Sequence, residues 1–208
     1  MFNITAFGLL ALLLALLYLG ALERVLERMR LTGKQALLLL FAMLAGGLLP
    51  PVTFAGGLKV NIGGVFIPLA LVIYLLVTAD APNEKYRALL AAGVTGLLVR
   101  TAAFLLPGTP GVGHFDLDPL FLPPLLAAFV AYLLGRSRRA SFIGAFLGVL
   151  SVELWAWGEN LQRGLRAHTF TLGGGGVWGA ALLAGVLAVL LAELVGEIRE
   201  RLHRRRVE

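Results

Sequence analysis

Two ionisable side chains fall inside long apolar runs, Arg100 in TGLLVRTAAFLL and Glu153 in GVLSVELWAW. A charge surrounded by hydrocarbon costs at least a few kcal/mol, so each needs an opposite charge, a hydrated space or a chemical task. Each lies 13 residues beyond the start of its run, near Arg87 and Ala140 respectively. That is ~20 Å along a helix at ~1.5 Å per residue. Equal depth predicts that Arg100 and Glu153 form a buried pair. Such a pair either fixes how two helices pack or lines a solute path, and one pair alone is thin machinery for catalysis.

Glycines supply the second constellation. Gly56-Gly57-Leu58-Lys59-Val60-Asn61-Ile62-Gly63-Gly64-Val65-Phe66 leads into one apolar run, and Gly173-Gly174-Gly175-Gly176-Val177-Trp178 leads into another. The shared Gly-Gly-Val-aromatic run recurs 112 residues apart, which fits a remnant of internal duplication. Glycine permits φ > 0 and close backbone approach. A helix head behind such glycines presents free N–H groups and a positive dipole end, which suits an anion; the alternative, and the leading one, is that the glycines serve close helix packing and interfacial turns. Lys59 and Asn61 add a charge and a donor there. The candidate binding residues are therefore Arg100, Glu153, Asn61, Lys59, Gly63 and Gly64, with no catalytic residue assigned. His114-Phe115-Asp116-Leu117-Asp118 would set three ligand residues along one side of an extended segment, but no further ligand stands nearby. It reads as loop, and neither a metal nor a cofactor is expected.

What must position these residues is set by composition. The chain has 208 residues, 59% hydrophobic and 14% charged, with mean hydropathy +0.87. A water-soluble domain is nearer a quarter charged, so an ordinary soluble enzyme is excluded. The absence of cysteine excludes disulfides and thiolate chemistry. The three histidines lie outside the apolar runs, which excludes a haem held by two membrane histidines. A bilayer core needs roughly 20 apolar residues per helix. That ruler predicts an all-α polytopic membrane protein with about seven transmembrane helices: Ile4 to Leu22, Gln35 to Pro50, Ile62 to Ala79, Tyr86 to Leu106, Pro119 to Gly135, Ala140 to Trp157 and Gly176 to Val195. The second is short and the third begins among glycines. With no cationic leader and no small-residue cleavage site before Glu23, the first span reads as a retained helix. Retinal is excluded because the seventh span holds no lysine for a Schiff base. Gly144 and Gly148, spaced as GxxxG, are read as packing positions.

Net charge is +6. Fourteen of the eighteen basic residues fall on one side of this topology, among them Arg24, Arg28, Arg30, Lys34, Lys85, Arg87, Arg136, Arg138, Arg139 and the tail from Arg199 to Arg206. Lys59, Arg163 and Arg166 lie opposite. The positive-inside rule then puts the N-terminus outside and the C-terminus in the cytoplasm, in the cell membrane. The same distribution makes lipid, rather than nucleic acid, the expected partner. Residues 1–208 read as one membrane domain and 196–208 as its basic tail. Glu193 to Arg206 is expected to continue the last helix, its arginines against anionic headgroups. Self-association is left open.

The run Val60-Asn61-Ile62-Gly63-Gly64-Val65-Phe66-Ile67-Pro68 resembles the signature of an uncharacterised bacterial and archaeal polytopic membrane-protein family, a domain of unknown function. Gly173 to Ala188 is similar to that family's last membrane segment, and the likeness covers roughly Gln35 to Glu193. The resemblance implies an aspartate in the penultimate helix and another after the glycine-rich run, an arrangement similar to intramembrane aspartyl proteases. Here Glu153 stands at the first place and Gly179 at the second. One carboxylate cannot make a proton-sharing dyad. The expected function is a small-solute or ion carrier. The alternatives are a degenerate intramembrane hydrolase and a membrane scaffold or accessory subunit docking through its arginine tail.

Overall fold

The computed structural model describes residues 20, 23, 25–27, 29, 31–79, 81–105, 122–163 and 170–207. Most of the predicted first span, the loop Pro107 to Asp118 with His114, Asp116 and Asp118, and the side chains of the tail beyond residue 199 lie outside the described residues. So do Arg24, Arg28, Arg30, Asp80, Arg166 and His168.

Six α-helices are described: α1 (Gly33–Leu48), α2 (Ile67–Val77), α3 (Pro82–Leu105), α4 (Leu122–Gly135), α5 (Arg138–Gln162) and α6 (Ala180–Val207). They overlap the second to seventh predicted spans as helices, but α1, α2 and α4 are shorter than the roughly 20 residues that the expected crossings require. Local chemistry fixes their starts. At α1, Thr32 Oγ1 accepts from the Gln35 N–H at 3.4 Å while Gln35 Oε1 accepts from the Thr32 N–H at 2.9 Å, a reciprocal capping box. Ser137 Oγ accepts from the Ala140 N–H at 3.1 Å at the head of α5. Pro82 opens α3, where a missing N–H costs nothing. The last helix runs on to Val207, as expected from its sequence.

Between the helices lies a small sheet that hydropathy does not foresee. Strands β1 (Val52–Thr53), β2 (Leu58–Val60) and β3 (Phe170–Leu172) stand in that order, β2 antiparallel to β1 and parallel to β3. Strands this short leave no alternating pattern to read. A π-helical turn, Ile62–Phe66, joins β2 to α2, and a 3₁₀ turn, Gly176–Trp178, precedes α6.

Helix α5 is the hub, packed against α3, α4 and α6. Phe142 and Phe146 stack on it with ring centroids 6.1 Å apart, fully buried beside Ile143 and Leu182. A methyl on Gly144 would stand 2.8 Å from the Ala91 Cβ, and one on Gly148 would stand 2.8 Å from the Thr95 Cβ. The expected packing role of these glycines is what the structure shows. Because 91 faces 144 and 95 faces 148, α3 and α5 run parallel. At their N-terminal ends the Arg87 Nη2 donates to the Gly135 carbonyl at 2.6 Å and the Arg139 Nη1 to the Thr78 carbonyl at 3.2 Å. Cations there complement the C-terminal dipoles of α4 and α2, which arrive from the opposite direction.

The exterior is apolar. Leu38, Phe41, Leu48, Val77, Leu97, Leu105 and Phe129 are all more than half exposed. Helices α5 and the first part of α6, to Arg199, are long and apolar enough to cross a membrane. Both features fit association with a membrane.

Candidate functional site

The two glycine-rich segments meet. Leu58 pairs with Phe170, Lys59 with Thr171 and Val60 with Leu172, and the Asn61 N–H extends the seam to the Leu172 carbonyl at 3.1 Å. Beyond the strands each chain turns into a helix. Buried Asn61 accepts the Gly64 N–H on its side-chain oxygen at 2.7 Å, and its carbonyl accepts the Val65 N–H at 3.0 Å. In the second segment Gly173 and Gly176 adopt φ of +60° and +56°, conformations that favour glycine. There the Gly176 N–H returns to the Gly173 carbonyl at 2.8 Å. A methyl on Gly64 would overlap the Gly173 carbonyl oxygen, so the two turns touch backbone to backbone.

Glu153 reaches this seam from α5. Its Oε2 accepts the Gly173 N–H at 3.0 Å. This corrects the expected ion pair, because Arg100 donates instead to the Glu159 Oε1. That oxygen also accepts from the Trp155 Nε1 at 2.9 Å. The register of α3 on α5 does bring positions 100 and 153 to one level. What separates them is direction around the helix. Counting from Gly148, which faces α3, Glu153 is turned by about 140° and Glu159 by only about 20°. Glu159 therefore shares the α3 stripe, and the long arginine side chain extends to it along the helix. Both partners are about one-third exposed, 32% and 30%, so the pair sits at a rim and is not the buried pair expected. In a double-mutant cycle, Arg100→Ala and Glu159→Ala are expected to couple, the double variant losing less stability than the sum of the two single variants. Arg100→Ala and Glu153→Ala should add. Coupling to Glu153 but not to Glu159 would refute this geometry.

The expected anion mouth is also corrected. Of its N–H groups, that of Gly64 is answered by Asn61 and that of Gly173 by the chain's own carboxylate. Lys59 stands one strand position before Val60 and faces Thr171 in register, outside the hydrogen bonds of Glu153. Gly63 turns to α1, where its α-carbon lies against the backbone of Met43 and Gly47. Asn61, Gly64, Gly173 and Glu153 thus form one site, which Arg100 does not enter. Gly173 and Glu159 were not singled out as partners from sequence. Only the helical phase of Glu159 relative to Gly148 and Trp155 would have found it.

An open cleft of about 620 Å³ adjoins the seam, lined by Ala55, Gly56, Gly57, Trp157 and Leu161. Trp157 Nε1 donates to the Gly56 carbonyl at 3.3 Å across it. Glu153 precedes Trp157 by four residues, about one helical turn. No group of three or more metal-ligating side chains occurs among the described residues. At the place where a second acid would complete a carboxylate pair, Gly179 offers backbone alone, its N–H on the Gly176 carbonyl at 3.1 Å, and the chain matches no aspartyl protease among curated proteins or solved structures.

A family model described as a protein of unknown function, DUF1614, matches residues 25–191. No curated protein and no solved structure matches the chain.

Proposed function

The chain belongs to the DUF1614 family, whose function is unknown, and from that premise we propose that it is a multi-pass membrane carrier of a cation, or of a small solute coupled to one, with Glu153 at its site. The observation that carries this reading is the Glu153 carboxylate on the Gly173 N–H, within an apolar helix and beside two helix heads unwound by glycine. Membrane carriers use interrupted helices in this way, because unwound backbone frees carbonyl oxygens that replace a cation's hydration shell. In this reading the carboxyl group that already accepts the Gly173 N–H supplies the oxygen ligand and, when it gives up its proton, the charge that a cation needs.

Further features support the seven-span topology with the N-terminus outside and the C-terminus in the cytoplasm. The helices alternate in direction, and their apolar faces look outward. Exposed Arg87, Arg136 and Arg138 gather at the end opposite the seam. Cations at that end suit the cytoplasmic leaflet of the cell membrane, where the arginine tail would lie on anionic lipid headgroups.

The test is flux into liposomes holding the purified chain, with sodium, potassium and proton gradients imposed in turn and read by internal dyes. Uptake of at least one cation above that of protein-free liposomes is expected. Folded, inserted protein that moves none of the three would overturn the reading.

A further inference from the structure

Residue pairing in the sheet repeats the spacing seen in the sequence. Leu58, Lys59 and Val60 pair with Phe170, Thr171 and Leu172, and each partner lies 112 residues downstream. Gly-Gly-Val-Phe at 63–66 and Gly-Gly-Val-Trp at 175–178 stand at the same offset. The equivalence extends outward. In each segment the amide of the fourth turn residue returns to the first, Gly64 to the Asn61 side-chain oxygen and Gly176 to the Gly173 backbone carbonyl. Each segment follows a helix capped by a hydroxyl side chain, Thr32 or Ser137. Each leads into an apolar helix.

We propose that α1–β2–turn–α2 and α5–β3–turn–α6 are two copies of one unit, and that the β2–β3 seam between them is the face that parts to give solute access to Glu153. The inference rests on the carrier reading and adds where that carrier opens. Within the second unit, α5 and α6 interdigitate through large buried side chains such as Phe142 and Leu182. Across the seam the contacts are strand hydrogen bonds, glycine backbone and the Trp157 bond to the Gly56 carbonyl. The buried apolar side chains beside them are aliphatic, Val60, Val65, Leu172 and Val177. Parting the units uncovers these rather than the stacked rings that α5 sets against α6. The cleft by Trp157 already lies on this boundary, lined by the 3₁₀ turn Ala55–Gly57 of one unit and by α5 of the other. Its Trp157 stands one helical turn beyond Glu153 on α5. Two rigid bodies hinged at a shared seam are a common basis for alternating access.

The chain has no native cysteine, so a disulfide can be placed across the seam at will. Cα atoms facing each other on neighbouring strands are about 5 Å apart, within the range a disulfide spans. Lys59→Cys with Thr171→Cys ties the two units together. Lys59→Cys with Thr53→Cys ties β2 to β1 inside the first unit, since Thr53 pairs with Lys59. Cation flux is measured for each variant in liposomes, oxidised and then reduced. Oxidation of the 59/171 pair should lower flux at least tenfold and reductant should restore it, while the 53/59 pair keeps a ratio near one. Undiminished flux through the oxidised 59/171 protein would overturn the moving seam. A 59/171 pair that never oxidises beside a 53/59 pair that does would overturn it too, by showing a different register. Absence of flux in the reduced variants and the parent alike would instead refute the carrier reading.

Discussion

Gly63→Ala is expected to abolish the folded protein. The π-helical turn presses Gly63 onto α1 so closely that a β-carbon would overlap the Met43 carbonyl oxygen and the Gly47 amide nitrogen, and would stand 2.9 Å from the Gly46 carbonyl carbon. All three are backbone atoms, so no side-chain rotation makes room. Either α1 moves away from the turn or the turn unwinds, and either movement exposes Met43 and Val65, which are buried at this contact. Overpacking by added methylenes usually costs about 1–3 kcal/mol when side chains can yield. Backbone on both sides puts this change above that range, a large share of the roughly 5–15 kcal/mol that holds a domain together. Gly93→Ala is the matched control. Gly93 lies within α3 with nothing within 4 Å of its would-be β-carbon, so alanine there should raise stability by about 0.5–1 kcal/mol through helix propensity. Thermal midpoints in detergent, read by loss of the monodisperse chromatographic peak, decide the matter. A Gly63→Ala protein melting within a degree or two of the parent would mean the α1–turn contact is not as described.

That contact also marks where sequence reading succeeds and where it stops. Helix positions were legible because an apolar run of given length carries its own signal, and α1 to α6 fall on the predicted spans. The sheet was not legible, since β1, β2 and β3 are two or three residues long and β2 finds its parallel partner 112 positions away. The Gly-Gly-Val-aromatic echo hinted at a relation between the two segments, but spacing alone cannot say that they touch. Arg100 and Glu153 show a subtler failure. Their depths were correctly matched, yet a helix has a phase as well as a height, and only Glu159 points along the face that α3 covers. The glycine-rich turns show the same limit: local sequence suits both an anion and close packing, and only the structure shows Gly64 against the Gly173 backbone and a carboxylate from a different helix on the Gly173 N–H.

That carboxylate carries the second large effect. Glu153→Gln keeps the length of the side chain and an oxygen able to accept the Gly173 N–H, so the β3–α6 turn should stay closed and the thermal midpoint should barely move. What it removes is the charge and the ability to exchange a proton. If Glu153 binds the transported cation, flux in liposomes should fall at least tenfold, and whatever dependence on pH the parent shows should vanish. Glu153→Leu separates the two roles from the other side. It strands the Gly173 N–H in an apolar setting, at a cost of about 1–3 kcal/mol, and should lose stability as well as flux. Glu153→Asp is shorter by one methylene and draws back from the 3.0 Å contact, so it should retain charge while loosening the turn, giving partial flux and a lowered midpoint. The set distinguishes a structural cap from a carrier site. A cap predicts that glutamine is silent in every assay and that aspartate is the worse of the two conservative changes. A carrier site predicts the reverse order for flux, with glutamine folded and inactive, and a glutamine variant that transports like the parent would leave Glu153 as a turn-holding residue only.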